Sequence, residues 1–336
     1  MRIADFDYEL PEDRIGQTPI EPRDSARLLV DRGSAAPGHR HVRDLPELLQ
    51  PGDLLVLNET RVIPARLRLR RCTGGAAEVL LLEPCDHHRR VWEALVRPGG
   101  KLAEGEELVA DDVAVVRMGE RTPAGDTFWI ELLGDDDPLV LLERHGEMPL
   151  PPYIGERLGD PERYQTVFAR EPGSAAAPTA GLHFTAELFE RLASIGVRTA
   201  TVELVVGLDT FQPISTENPL DHPMHTERYR VPPETMAACR AADRVIAVGT
   251  TAVRALESAA RSGDLSGRTD LFIHRPFDWQ LVDVMMTNFH LPKTTLLMMI
   301  DAFVGPRWRS LYDTALAGDY RFLSFGDAML LDRHLR

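Results

Sequence analysis

The pattern of apolar and turn-forming residues changes twice along the chain, and this change constrains the fold more than any other feature. Between residues 66 and 142, short apolar or alternating runs are separated by Gly, Pro and Asp. Runs of this length and spacing are typical of strands in an antiparallel barrel or sandwich. The predicted strands of this block cover residues 66–70, 78–83, 91–96, 113–117 and 127–133.

Outside this block, strand and helix patterns alternate, which is the signature of an α/β sheet domain. The predicted strands cover residues 27–31, 53–58, 198–206, 244–248 and 271–273. The predicted helices cover residues 185–195, 232–242, 251–261 and 296–304. We therefore expect an α/β fold: an α/β sandwich domain built from both ends of the chain, residues 1–62 and 148–336. An all-β, barrel-like domain, residues 63–147, is inserted into it.

Charge limits the partners that such a chain can bind. The 336 residues include 38 Lys and Arg against 52 Asp and Glu, a formal charge of −14, which argues against coating nucleic acid by bulk positive charge. A local patch remains possible, because Arg66, Arg68 and Arg70 would share one face of a strand close to Arg61. These four arginines are the candidate contacts to nucleic-acid phosphates, although a solvated strand face explains them equally well.

Cysteine and apolar content point away from metal, disulfide and membrane classes. Cys72, Cys85 and Cys239 stand far apart without a C-x-x-C pair, so we expect neither a disulfide framework nor a metal site. The acidic residues near Met1 do not fit a secretory signal, and no apolar run approaches bilayer length. We expect a cytoplasmic monomer with no membrane partner.

One candidate ligand segment is the run 245–251, which predicts a strand, a tight turn at Gly249 and a helix beginning near Thr250 and Thr251. Free backbone N–H groups at such a helix start attract anions or ligand oxygens. Arg254, on the first turn, could bind a carboxylate or form an ordinary ion pair. A buried strand followed by a Thr-capped helix is the alternative interpretation.

A second candidate is the run 171–184, whose small residues, prolines and glycines do not suit a core element. It is either a linker or a loop that lets a ligand approach the backbone closely, and its apolar end favours the loop. The loop contains Thr179 and Gly181 and ends at His183 and Phe184, with His183 a candidate acid or base.

Two further polar clusters are candidates for chemistry. His225 and Glu227 belong to an acid–base cluster or to a solvated polar loop. Asn288, Phe289 and His290 precede a predicted helix, where they suit either the binding of a flat heterocycle or a capped helix entry.

Seven blocks taken together resemble one family. They are residues 53–67, 148–154, 164–168, 176–184, 245–251, 287–292 and 320–329, including Ala-Pro-Thr-Ala-Gly-Leu-His-Phe and Thr-Asn-Phe-His-Leu-Pro. In this order they resemble the S-adenosylmethionine:tRNA ribosyltransferase-isomerases of queuosine biosynthesis. The resemblance implies transfer of the ribosyl part of S-adenosylmethionine to a 7-aminomethyl-7-deazaguanine in the tRNA anticodon. An epoxycyclopentane forms, adenine and methionine are released, and no metal or redox cofactor is needed.

The resemblance also implies roles for individual residues. The acid–base pool would be His183, His225, Glu227 and His290. The methionine or ribose end of the co-substrate would contact Thr250, Thr251 and Arg254, and adenine would contact Phe184, Asn288 and Phe289. Thr179, Gly181 and Gly249 complete the expected binding loop.

The chain departs from the family pattern at several positions. Acids stand at Glu59, Glu203, Asp209 and Asp301, and Val205 replaces an imidazole. These acids would repel a polyanion that they faced. Two alternatives therefore stay open: the same chemistry on a small-molecule acceptor or on the co-substrate alone, and a non-catalytic relative that binds nucleoside or tRNA.

Overall fold

A computed structural model describes residues 1–33, 35–123, 125–207, 213–224 and 226–333. The strands are β1 (Arg27–Asp31), β2 (Gly38–His41), β3 (Asp53–Asn58), β4 (Thr60–Val62), β5 (Arg66–Arg71), β6 (Ala76–Pro84), β7 (Val91–Arg97), β8 (Glu107–Ala110), β9 (Val113–Arg121), β10 (Phe128–Leu132), β11 (Gly146–Glu147), β12 (Glu171–Ser174), β13 (Arg198–Leu204), β14 (Glu227–Arg230), β15 (Arg244–Val248), β16 (Ser266–Thr269), β17 (Val284–Asn288) and β18 (Ala328–Asp332). The helices are α1 (Leu45–Leu48), α2 (Pro138–His145), α3 (Ala186–Ser194), α4 (Pro233–Ala241), α5 (Thr250–Ser262), α6 (Thr295–Val304) and α7 (Trp308–Ala317), with short 3₁₀ turns between them.

The described residues form two compact units. The first comprises Met1–Thr60, Pro151–Glu171 and Ala177–Arg336, and the second comprises Arg61–Leu150 and Pro172–Ala176. A nine-stranded sheet of order β16-β14-β13-β3-β15-β17-β18-β1-β2 organises the first unit. Its central strands β13, β3, β15 and β17 are mutually parallel.

Side chains of β3, β15 and β17 are buried on both faces of this sheet. Leu55 and Leu57 of β3 belong to a core cluster that includes Leu188 of α3. Successive strand residues point to opposite faces, so the buried Leu54 and Val56 lie on the other side. Helix α5 packs on β13, β3 and β15. Burial on both faces explains why β3 reads as an uninterrupted apolar run.

The carboxyl ends of the four parallel strands lie at one edge of this sheet. Asn58, Leu204, Val248 and Asn288 are the last residues of these strands. In open α/β sheets, ligands bind in the crevice outside this edge. The segments that follow β13, β15 and β17 are therefore brought together, although they are far apart in sequence.

The second unit contains a closed antiparallel barrel. Strands pair in the order β5-β6-β7-β10-β9-β8, and β8 pairs back onto β5, while β11 extends β5 at its other end. Alternation decides which side chains point inward: Leu67 and Leu69 are buried, whereas Arg68 and Arg70 between and beside them are exposed.

The predicted α/β fold with a barrel-like β unit is confirmed, and most predicted elements match within two residues. The strand predicted at residues 271–273 is wrong: those residues form none, and β16 lies at Ser266–Thr269. Three of the four residues of β16 are exposed, so this edge strand carries no apolar pattern. The patterns also gave no strand at β17. Among the described residues, no helix combines the length and the apolar character that crossing a bilayer requires.

Candidate active site

An open cavity with about 590 Å³ of empty space lies at the carboxyl edge of the sheet. This space includes the mouth of the cavity, which is open to solvent. Three segments form most of its wall: 177–180, 249–251 and 287–291. The remaining wall residues are Tyr153, Val206, Thr294, Leu296, Leu323 and Ser324. Each of the three segments falls within a run that sequence reasoning singled out.

The start of α5 supplies backbone N–H groups to the cavity. Gly249 has φ +89° and ψ 151°, and its N–H donates to the carbonyl of Met286 at 2.7 Å. This positive φ turns the chain sharply from β15 into the helix. The first-turn N–H groups at Thr250 and Thr251 have no i−4 partner within the helix, and none of the described side chains caps it. With the helix dipole, this end favours an anion.

A chain of polar side chains runs from the cavity wall into the core. The hydroxyl of Thr179 donates to Asn288 Oδ1 at 3.1 Å. Asn288 Nδ2 lies 3.3 Å from Nε2 of His183, and it also donates to the carbonyls of Leu323 and Asp327 at 3.1 and 3.3 Å. His183 is only 4% exposed, and burial lowers its pKa to about 4. It is therefore neutral at physiological pH.

His290 is the imidazole in the cavity wall. Its Nε2 lies 3.0 Å from Thr287 Oγ1, and its backbone N–H donates to the hydroxyl of Tyr312 at 3.0 Å. Its carbonyl accepts a hydrogen bond from Tyr8. Burial lowers the pKa of His290 to about 3, so this ring is neutral as well. A neutral imidazole at a cavity wall can accept a proton.

The structure places Thr179, Gly249, Thr250, Thr251, Asn288, Phe289 and His290 together at this cavity. Phe289 contributes little ring surface to it, because its ring is fully buried and stacked on Phe322 at 4.6 Å between centroids. His183 adjoins a smaller neighbouring cavity with Arg23 and Arg163. The individual roles predicted for these residues stay predictions.

Other predicted site residues lie elsewhere. The ring of Phe184 is fully buried in the core cluster and stacks on Phe189 at 5.1 Å. Gly181 packs against Phe168 and Thr166, and a Cβ there would lie 2.7 and 2.9 Å from their side chains. Neither residue is among those that line the large cavity.

Arg254 and Glu227 form a buried pair. A guanidinium nitrogen of Arg254 lies 2.5 Å from Glu227 Oε2, and another donates to the carbonyl of Thr269. The carboxylate that Arg254 meets in the structure therefore belongs to the chain itself. His225 lies outside the described residues, as does Asp209.

The predicted arginine patch is paired with acids inside the barrel unit. Arg66, Arg68 and Arg70 lie 3.9, 3.0 and 2.8 Å from carboxylates of Glu78, Glu147 and Asp112. Arg61 belongs to the same unit. These carboxylates reduce the local positive potential, and the contact to nucleic acid stays a prediction.

Three of the four acids that depart from the family pattern have arginine partners. Glu203 lies 2.6 Å from Arg230 on the neighbouring strand. Asp301 is 3% exposed and lies 3.1 Å from Arg275. Glu59 has a more distant partner in Arg170, at 4.0 Å. Arginines of the chain thus neutralise charges that could otherwise repel a polyanion.

Sequence reasoning gave no role to several wall residues. Tyr153 and Ser324 join through their hydroxyls at 2.8 Å, and Thr287 contacts His290. Tyr153 and Ser324 stand in blocks that carry the family resemblance, which was the available signal. Across the part of the chain that the structure describes, no group of three or more His, Cys, Asp or Glu is arranged to hold a metal ion.

Comparisons with known proteins agree with this architecture. A family model described as queuosine biosynthesis protein matches residues 3–331. An S-adenosylmethionine:tRNA ribosyltransferase-isomerase of Symbiobacterium thermophilum is 52% identical over 346 residues, covering 98% of this chain and 100% of the relative. One from Moorella thermoacetica is 50% identical over 344 residues with the same coverage. The crystal structure of an S-adenosylmethionine tRNA ribosyltransferase from Thermotoga maritima is similar with a TM-score of 0.56 and 39% identity, over 97% of this chain and 99% of that one.

Proposed function

The chain belongs to the queuosine biosynthesis protein family, and we propose that it acts as an S-adenosylmethionine:tRNA ribosyltransferase-isomerase. It transfers and isomerises the ribosyl part of S-adenosylmethionine onto a 7-aminomethyl-7-deazaguanine in a tRNA anticodon. Adenine and methionine leave. S-adenosylmethionine is a co-substrate consumed in each turnover, and tRNA is the partner.

The observation that carries this proposal is the cavity at the carboxyl edge of the sheet. It combines the N–H groups at the start of α5, an imidazole at His290 and apolar wall residues such as Val206 and Leu296. The carboxylate of the methionyl part fits the helix start, and the apolar walls fit adenine. The cavity therefore has a matching surface for each end of S-adenosylmethionine.

The reaction needs a base and an acid. A sulfonium makes its neighbouring C5′ protons acidic, so a positioned base can form an ylide, and adenine leaves more readily when it is protonated. His290 is the proposed proton acceptor because its imidazole stands in the cavity wall. Glu227 and His225 complete the acid–base pool as proposals, and the wall position of His290 makes it the first choice.

Further parts of the proposal concern organisation and location. We assign the catalytic domain to residues 1–62 and 148–336 and the inserted barrel to residues 63–147. The protein works as a monomer in the cytoplasm, where tRNA is modified. Arg61, Arg66, Arg68 and Arg70 are the proposed phosphate contacts of the barrel. Carboxylate partners weaken the last three.

The experiment supplies the purified protein with S-adenosylmethionine and a tRNA that carries 7-aminomethyl-7-deazaguanine. Nuclease digestion and mass spectrometry should show the precursor nucleoside replaced by its epoxycyclopentane product, with free adenine. The same tRNA with guanine in the anticodon is the control. Adenine release without any tRNA would instead support the small-acceptor or cleavage alternative. Binding without turnover would support the non-catalytic one.

A variant tests the site. His290→Asn should abolish product formation while S-adenosylmethionine still binds, since the base is lost but the helix start remains. His87→Asn, which replaces an exposed imidazole of the barrel, is the matched control and should turn over normally. A fully active His290→Asn protein would remove His290 from the mechanism.

A further inference from the structure

The polar chain from Thr179 to His183 fixes which way its hydrogen bonds point. Asn288 Nδ2 faces the carbonyls of Leu323 and Asp327 at 3.1 and 3.3 Å. Carbonyl oxygens can only accept, so this terminal atom of the side chain must be the NH₂ group. The other terminal atom of the Asn288 amide is therefore the oxygen. The carbonyls of Leu323 and Asp327 fix the orientation of this amide.

The direction of Asn288 determines that of Thr179. Its hydroxyl lies 3.1 Å from Asn288 Oδ1, and two oxygens can share a hydrogen bond only if the hydroxyl donates. The single proton of Thr179 is thus committed to the protein. Because Thr179 is part of the cavity wall, its oxygen presents only lone pairs there. It is a fixed acceptor for an N–H or O–H of the ligand.

His183 supports this arrangement from the other side. Its Nε2 lies 3.3 Å from the Asn288 NH₂ group, whose two protons are shared among three acceptors, so the tautomer with the ring proton on Nδ1 fits this contact best. In a charged ring Nε2 also carries a proton, and this N–H would point at the NH₂ group of Asn288. Burial and the nearby Arg321 lower the pKa of His183 to about 4, which is consistent with the neutral ring. The role that fits is to position Asn288.

The acceptor lies next to the start of α5. A Cβ built on Gly249 would lie 3.8 Å from Cβ of Ala180, the residue that follows Thr179. The buried Oγ1 of Thr251 has no hydrogen-bond partner among the described residues. An N–H-rich helix start beside a fixed acceptor matches an α-amino acid, whose carboxylate and ammonium are one carbon apart.

We propose that Thr179 Oγ1 receives the α-ammonium of the methionyl part of S-adenosylmethionine, while the start of α5 holds its carboxylate. His183 acts through Asn288 as the positioning residue for this contact. The inference rests on the proposed function for the identity of the ligand. It goes further by giving the amino-acid end its specificity residue and by giving His183 a role other than proton transfer.

The test measures binding of S-adenosylmethionine by calorimetry without tRNA. Thr179→Val keeps the shape but removes the acceptor and should weaken binding about 10- to 100-fold, the range for a hydrogen bond to a charged group. Thr179→Ser keeps the acceptor and should bind within about threefold of wild type. Thr179→Ser should unfold at a temperature close to that of the wild type, and Thr179→Val at a lower one, because Asn288 Oδ1 loses its donor.

Ligand analogues identify the group that Thr179 contacts. An analogue without the α-amino group should bind wild type and Thr179→Val equally. If the difference persists with this analogue and vanishes with one that lacks the adenine 6-amino group, the acceptor contacts adenine and the proposal is overturned. Wild-type binding by Thr179→Val also overturns it. A wild-type protein that binds no S-adenosylmethionine refutes the proposed function itself.

A second pair of variants tests the positioning role. His183→Gln retains an acceptor for Asn288 and should keep most turnover with an unchanged pH profile of kcat. His183→Leu should raise KM for S-adenosylmethionine more than it lowers kcat. If His183→Gln removes an ionisation from the pH profile and abolishes turnover, His183 transfers a proton and the positioning role is wrong.

Discussion

Two glycines at opposite ends of α5 allow the binding role of its N-terminus to be separated from its stability. Gly249 precedes the helix with φ +89° and ψ 151°, a region that is essentially restricted to glycine. Gly263 ends the helix with φ +81° and ψ −8°, the ordinary left-handed conformation. Both substitutions to Ala introduce one methyl group into a strained backbone, but only Gly249 belongs to the cavity wall.

The cost of each substitution follows from its surroundings. A Cβ at Gly249 would meet Thr251 Oγ1 at 3.5 Å and Ala180 Cβ at 3.8 Å, which are ordinary contacts, so the cost is conformational. We expect Gly249→Ala to lose about 1–3 kcal/mol of unfolding free energy. A Cβ at Gly263 would meet nothing within 4 Å, and we expect Gly263→Ala to lose about 1–2 kcal/mol.

Binding should separate the two variants. If Gly249→Ala relieves its strain by turning φ negative, the N–H groups at Thr250 and Thr251 are redirected. Loss of one charge-assisted hydrogen bond to the carboxylate weakens S-adenosylmethionine binding about tenfold or more. Gly263→Ala should bind like wild type. Urea unfolding and calorimetry measure both quantities. Equal S-adenosylmethionine affinity in both variants would refute the assignment of the helix start to the co-substrate.

Three further predictions concern stability and tRNA. The free energy of unfolding should fall between pH 7 and 5.5, because the imidazoles of His183 and His290 stay neutral in the native state but take up protons near pH 6.5 when unfolded. The loss is about 1 kcal/mol per imidazole. Urea titrations should show a smaller loss for His290→Asn. A slope unchanged by that variant would contradict the neutral ring. Arg275→Ala leaves buried Asp301 without this partner and should lower the free energy of unfolding by about 1–3 kcal/mol. Adding Asp301→Ser should recover most of that loss. If the losses of the two substitutions simply add, the two residues are not coupled. Arg68→Ala with Arg70→Ala should weaken tRNA binding and lower the slope of log affinity against log salt by about 2, because each side chain is a proposed phosphate contact. An unchanged slope would show that their carboxylate partners hold both side chains away from the tRNA.

The sequence predicted the elements that have strong local patterns. The strand β3 could be recognised because burial on both faces requires an uninterrupted apolar run. The turn at Gly249 could be recognised because a positive φ favours glycine. The edge strand β16 was missed because an exposed strand of Ser-Gly-Arg-Thr needs no apolar residues. The fully buried central strand β17 was missed as well, so local pattern identified single elements and not the whole core.

The candidate site was predicted as segments and not as contacts. Thr179 and Asn288 are 109 residues apart, and their hydrogen bond arises from the sheet order, which no local pattern encodes. Arg254 and Glu227 were each expected to face a ligand, but burial of both made them partners of each other. Phe184 was expected beside adenine, yet an aromatic ring next to an apolar helix face is equally suited to the core.

The most direct test of the central claim is a single-turnover reaction with the protein in excess over S-adenosylmethionine and the precursor-modified tRNA. Adenine, methionine and the epoxycyclopentane nucleoside should form in equal amounts and with one rate constant, because one cavity carries out one coupled transfer. Adenine and methionine that form without an equal amount of modified nucleoside would contradict the claim.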